Sequence, residues 1–417
     1  MMILSMKKQL VANLPAKFAS VVMFMMPALA LTTEFGMGLT LVLVVLGCAW
    51  SANKGCLPFY SSNARPLALI YAGFGGYFLV SLLRMLYFKQ GLHSLDGPSH
   101  LLFCLVCIGF VVYFRPAIHG LWLGICTGAI ASGAYATVER LVYGVDRAVG
   151  ATHHAITFGD LALALGVMSL CAISEFRKTR LALLPVAGLL CGLLASVLSG
   201  SRGGWVALIL LPLPLLRYGQ AIHGRRIAHA LVLIAALCVA IYFLPMSGVA
   251  VRMAEAGADM RLYFTHADPN SSVGARLELW KASWMMFSEH PWIGVGRDRF
   301  FDTLQVFVQQ GKLQPSPALV YSSSHNDVLN FLATGGLLDT SFLLLMYGGP
   351  MFFFLSILKK NDGEHRTTAL AGLVLVLCFI GFGFTDVMFW LMQPKVFYGM
   401  MVCTLIGFCL VPNKPHV

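Results

Sequence analysis

Three residues of this chain have the types and surroundings to hold an anion with a base beside it: Arg202, Arg276 and His325. Arg202 lies in Ser199-Gly200-Ser201-Arg202-Gly203-Gly204-Trp205. Glycines there let a ligand approach the backbone closely, and a guanidinium offers a planar fork of donors that matches phosphate oxygens. Arg276 supplies a second fork at the start of an amphipathic segment, and phosphate or pyrophosphate would suit the pair. His325 belongs to Ser322-Ser323-Ser324-His325-Asn326. Ser324 with Asp327 fits a helix-start pattern and places His325 in the first turn of the next helix. The positive end of a helix favours the neutral imidazole, the form that accepts a proton. Each residue has a plainer alternative. Arg202 could snorkel to headgroups with Trp205 as a belt residue, Arg276 could be a solvated surface arginine, and His325 could anchor a helix end.

Other polar residues near the same apolar runs are weaker candidates. Arg140 and Arg147 could widen a positive field as accessory groups, as could Asn326 beside the histidine, although the two arginines are read chiefly as structural. His153, His154, Asp160 and Asp386 lie at or just inside apolar runs, where ionisable groups are functional candidates by default, yet the sequence names no partner for any of them. Gly294-Val295-Gly296 reads as a tight turn, since no strand precedes it and a third glycine is missing. Neither a D-x-D nor an E-x-D occurs in the polar loops, and there is no G-x-S-x-G elbow. The chemistry should therefore use arginine and histidine, with no metal and no cofactor.

The elements that must position these groups follow from composition. Hydrophobic residues make up 58% of the chain, charged residues 11%, and mean hydropathy is +0.78, far from the roughly 25% charged usage of soluble domains. Continuous apolar runs near 17–32, 36–52, 66–86, 99–114, 117–137, 155–174, 181–198, 203–216, 227–244, 326–358, 368–386 and 395–411 predict an all-α polytopic membrane protein of about twelve helices. A β-barrel would show short alternating segments instead. Basic residues such as Lys7, Lys8, Arg177, Lys178, Arg225, Arg226, Lys359 and Lys360 fall on one side of that topology and place both termini in the cytoplasm. One long polar stretch, 245–325, then lies outside as a periplasmic subdomain of a single membrane domain, between its helices one to nine at 1–244 and ten to twelve at 326–417.

Within that external subdomain, Leu277, Trp280, Trp284 and Phe287 recur at helical spacing, predicting an amphipathic helix from about Ala275 to Glu289. Ser271 and Ser272 precede it as caps, and His290-Pro291 stops it. A turn at 294–297 and a second helix from about Arg299 to Gln310 follow. The net charge of +11 is explained by topology and anionic lipid, without nucleic acid. None of the eleven cysteines lies in the external stretch, so no disulfide framework is expected. Cys104 and Cys107 read as packing residues.

Taken together, the S-R-G-G element, an arginine opening a Trp-containing amphipathic helix, the segment P-W-I-G-V-G and the closing S-H-N-D-x-L-N resemble the bacterial O-antigen ligase and polymerase superfamily, chiefly over residues 199–337. The resemblance implies transfer of a polysaccharide from undecaprenyl pyrophosphate to a sugar hydroxyl of lipid A core, at the periplasmic face of the inner membrane. It implies Arg202 and Arg276 on the donor pyrophosphate, His325 as the base toward the acceptor hydroxyl, inversion at the anomeric carbon and contact with membrane lipid. An O-antigen polymerase and a protein-glycosylating oligosaccharyltransferase share these motifs and stand as alternatives. A transporter of a lipid-linked anion is an alternative of another class, although the matching internal repeats of many transporters are not evident.

Overall fold

The computed structural model describes residues 2–52, 64–219, 249–266, 270–314, 320–360, 363 and 365–411. Every regular element among them is helical, as the continuous apolar runs require. Among the described residues six helices are long and apolar enough to cross a membrane: Pro66–Phe88, Leu92–Phe114, Ile118–Leu141, Asp327–Lys359, Arg366–Gly383 and Met392–Leu410. Five more are apolar but shorter, namely Leu14–Leu29, Gly36–Ser51, Ala155–Cys171, Leu184–Ser199 and Gly203–Tyr218. At 1.5 Å per residue these shorter helices rise about 24–26 Å, less than the roughly 30 Å of a hydrocarbon core. Helices thus occupy the positions of the expected apolar runs, with 227–244 outside the described residues, while six of them have full span length. The chain is a membrane protein.

Two compact units emerge, and their boundaries differ from the linear division at 244 and 325. One comprises Met1–Ala221, Leu345–Gly381 and Leu391–Val417, and the other Ile222–Leu344 and Phe382–Trp390. The second unit therefore takes in the start of the helix after the polar stretch and a short turn far along the chain.

In the first unit the helix Ala155–Cys171 is buried from Thr157 to Ser169 without a break. Its neighbour Leu184–Ser199 comes close because both present glycine: a Cβ on Gly192 would stand 2.5 Å from the Ala162 carbonyl oxygen and 2.8 Å from Gly166 Cα. Small residues at such a contact let backbones approach where lipid gives no hydrophobic drive for association.

In the second unit Ser271 caps the helix Ser272–Glu289, its hydroxyl accepting from the Gly274 N–H at 3.0 Å. Leu279, Ala282 and Met286 on this helix pack against Phe300, Leu304 and Phe307 of the helix Phe300–Gln309. The buried face is thus not the expected Leu277, Trp280, Trp284 and Phe287 stripe, and Trp284 is 56% exposed. Ala282 is fully buried in this contact, and its small side chain admits the second helix where an indole ring would hold it off.

Candidate active site

The helix Asp327–Lys359 begins two residues later than the Ser324 pattern predicts, and this changes what His325 is. Asn326 is the cap, its side-chain oxygen accepting from the Leu329 N–H at 3.0 Å. Asp327 does not close a capping box with Ser324, because its carboxylate accepts instead from the Phe389 N–H at 3.3 Å. His325 therefore precedes the helix rather than sitting in its first turn, and its backbone is left-handed at φ 52°. Such a conformation costs of order 1–3 kcal/mol for a residue with a Cβ and persists only where its surroundings over-determine it. They do so here. The Ser324 carbonyl accepts from the Trp280 indole N–H at 3.0 Å, the Ser324 N–H donates to Asn330 Oδ1 at 3.2 Å, and the Ser324 hydroxyl donates to the Asn326 carbonyl at 2.8 Å.

The left-handed turn aims the imidazole at Asp386, 61 residues on. His325 Nδ1 stands 3.1 Å from Asp386 Oδ1, with the two side chains 18% and 2% exposed. The same carboxylate oxygen accepts from the Val387 N–H at 2.9 Å. A carboxylate only accepts, so Nδ1 is the nitrogen that carries a hydrogen toward Asp386. The Tyr321 ring meets the imidazole edge-on, with centroids 4.9 Å apart. Asp386 is thus the partner that the sequence could not name.

Three side chains fix the turn that carries Asp386. Asn326 Nδ2 donates to the Phe384 carbonyl at 3.2 Å, and Asp327 accepts from Phe389. Arg297 donates to the Trp390 carbonyl at 3.1 Å and places its guanidinium 4.3 Å from the centre of the Trp390 ring. Asn326, expected as an accessory residue, therefore does two structural jobs at once: it starts a helix and holds the acid's turn.

Arg276 lies on the second turn of the helix Ser272–Glu289 and is half-buried. Among the described residues no hydrogen bond or ion pair engages its guanidinium. A half-buried cation in that state is a ready donor to an anion.

Arg202 belongs to the first unit, in a turn built by its neighbours. Gly200 ends the helix Leu184–Ser199 in the left-handed conformation at φ 68°. The Ser201 hydroxyl then donates to fully buried Asp160 at 2.7 Å, and Arg147 Nε donates to the Ser199 carbonyl at 2.8 Å. Asp160, another acid without a partner in the sequence reading, thus secures the backbone next to Arg202. Arg140 donates to the Val145 carbonyl at 2.7 Å and also to that of Asp146, so both accessory arginines bind backbone. His153 pairs with Glu34 at 2.7 Å, both exposed, and His154 caps the helix Ala155–Cys171. Among the described residues no group of three or more His, Cys, Asp and Glu side chains is placed to hold a metal ion.

The turn at Gly294 does more than reverse the chain. The helix Asp327–Lys359 breaks at Gly336, whose φ of 63° and ψ of −160° are not helical. Residues 291–296 fill that break. The Val295 N–H donates to the Ala333 carbonyl at 2.9 Å, the Gly296 N–H to Thr334 at 3.0 Å, the Leu337 N–H to Pro291 at 2.8 Å and the Leu338 N–H to Trp292 at 3.2 Å. Backbone groups freed by the break are thereby paired, as an apolar setting demands. In the sequence this motif was legible only as the tight turn at Gly294-Val295-Gly296.

Comparison with known proteins places this geometry in context. Residues 187–344 match a family model described as O-antigen ligase. A protein of Haemophilus influenzae named only as uncharacterized is 25% identical over 336 residues, covering 79% of this chain and 84% of the relative. The matched interval contains Arg202, Arg276, His325 and Asn326 and ends before Asp386. The resemblance to the O-antigen ligase superfamily holds over these residues.

Proposed function

We propose, taking the O-antigen ligase match over residues 187–344 as premise, that this chain transfers a glycan from undecaprenyl pyrophosphate to a sugar hydroxyl of lipid A core at the periplasmic face. The observation that carries the reading is the His325–Asp386 pair at 3.1 Å. Asp386 holds the Nδ1–H, so Nε2 is presented as the proton acceptor, and a base positioned in this way contributes typically 10²–10⁴-fold.

In the proposed reaction Nε2 takes the proton of the acceptor hydroxyl as its oxygen attacks the anomeric carbon. The bond from that carbon to the pyrophosphate oxygen breaks, and undecaprenyl pyrophosphate leaves with the electron pair. Attack opposite the leaving group inverts the anomeric centre. Arg202 and Arg276 each offer a guanidinium to the pyrophosphate, where negative charge grows in the transition state. That no partner among the described residues engages the Arg276 guanidinium supports that role. Both substrates are lipid-anchored, so a site at the membrane removes much of the entropy of their encounter.

Purified chain in proteoliposomes, supplied with undecaprenyl-pyrophosphate glycan and rough lipopolysaccharide, tests the assignment. Glycan attached to core, with EDTA present, supports it. Lengthening of the glycan on its own carrier would assign a polymerase, and attachment to polypeptide a protein glycosyltransferase. Movement of the donor across the bilayer with no new bond would assign a transporter.

A further inference from the structure

The segment Pro291–Gly296 falls, by sequence, in the polar stretch, yet its side chains are those of a membrane surface. Trp292 is 72% exposed and Ile293 44% exposed. The Leu337 and Leu338 amides donate to the Pro291 and Trp292 carbonyls, so these residues lie directly beside Leu337 and Leu338. Those leucines are themselves 45% and 39% exposed on a helix long and apolar enough to cross a membrane. From Leu338 to Lys359 the helix has 21 residues of rise, about 32 Å at 1.5 Å each, which matches the roughly 30 Å thickness of a hydrocarbon core. A slab of that thickness would run from the level of Leu338 to that of Lys359 and Lys360.

We infer that the Pro291–Gly296 turn is a membrane-inserted anchor, with Trp292 and Ile293 seated against lipid at the acyl-chain and headgroup boundary. Three observations converge. The exposed leucines on the adjoining helix face have lipid as their only apolar solvent once the helix spans. A tryptophan at that level has the amphipathic ring that interfacial belts select. The backbone of the turn is paired to the broken helix at Ala333, Thr334, Leu337 and Leu338, which lowers the cost of placing its polar groups in an apolar layer. Exposed Trp284, whose ring lies 5.3 Å from that of Phe287, adds a further exposed indole to this unit. The segment is therefore a lipid-facing element, which the topological reading of 245–325 as one external stretch did not contain.

The anchor does not depend on the proposed reaction and is tested without it. The full chain is placed in vesicles of phosphatidylcholine and phosphatidylglycerol whose acyl chains are brominated close to the headgroup, and tryptophan emission is compared with that in unbrominated vesicles and with acrylamide quenching. Trp292→Phe should remove emission that brominated lipid quenches and leave the acrylamide-quenched fraction nearly unchanged. Ile293→Trp should add lipid-quenched emission, which keeps the test decisive if the first variant folds poorly. Loss of mainly acrylamide-quenched emission would place the turn in water and overturn the inference. Loss of emission that neither quencher reaches would place it against protein and overturn it equally.

Discussion

Asp386 Oδ1 lies 3.1 Å from His325 Nδ1, and the two side chains reach each other because one is on a left-handed residue before a helix and the other on a turn 61 residues later. Asp386→Asn should keep the hydrogen-bonding shape but let the amide N–H face Nδ1, favouring the wrong tautomer with the hydrogen on Nε2. Glycan transfer should fall by about 10²–10⁴-fold, with donor binding within a few-fold of wild type. Steady-state transfer alongside donor titration separates these outcomes.

Asn326→Ala removes both the cap on the Leu329 N–H and the bond to the Phe384 carbonyl. Loss of the cap alone should cost about 1 kcal/mol, read as a lower unfolding midpoint in detergent. Transfer should fall further than that loss implies, since the turn carrying Asp386 is released. Asn326→Asp should recover the cap, and with it the stability more than the turnover.

Arg297→Lys keeps a charge but loses the planar fork that both stacks on Trp390 and reaches its carbonyl. Transfer should drop while donor affinity holds, and Arg297→Ala should be worse. Equal stability loss with unchanged turnover in both variants would show that the Trp390 contact is structural only.

Gly294→Ala should be severely destabilising. Its φ is 63°, and a Cβ there would collide with the backbone of Thr334 and Gly335. The left-handed conformation alone costs of order 1–3 kcal/mol, and the clash would expel the turn from the break at Gly336. Expression level and thermal unfolding in detergent check this.

Tyr263 gives a prediction with a definite sign in pH. Its hydroxyl donates to buried Glu278 at 2.8 Å. Burial, then the bond to Glu278 and the charge of that residue, push the phenol up to about 12. Since this lies above the ordinary phenol value of roughly 10, the contribution is complete below pH 10 and is lost as pH rises toward 12. Tyr263→Phe leaves Glu278 with the Gln314 N–H at 3.4 Å. It should cost about 1–3 kcal/mol, by the same amount throughout pH 6–9, as unfolding midpoints across that range would show.

How much of this was readable in the sequence depended on the range of each interaction. The all-helical membrane fold, the Ser271 cap and the helix ending at Glu289 follow from local composition and spacing, and the structure agrees. The Ser324 and Asp327 pattern misled because Asp327 is drawn to a turn more than sixty residues away, leaving Asn326 to cap the helix. The aromatic spacing around Trp284 misled because the buried helix contact is made by Leu279, the small residue Ala282 and Met286, while the indole stays outside. Asp386 and Asp160 were visible as acids in apolar runs, yet their partners, His325 and Ser201, are fixed only by tertiary contact. The glycines at 294 and 296 announced a turn, and only folding shows that it fills the break at Gly336.

The most direct measurement is single-turnover glycan transfer in proteoliposomes by wild-type chain and His325→Ala, with donor binding determined on the same preparations. The proposed mechanism requires that His325→Ala bind undecaprenyl-pyrophosphate glycan within a few-fold of wild type and transfer it about 10²–10⁴-fold more slowly. Transfer by His325→Ala at a rate within a few-fold of wild type would contradict it.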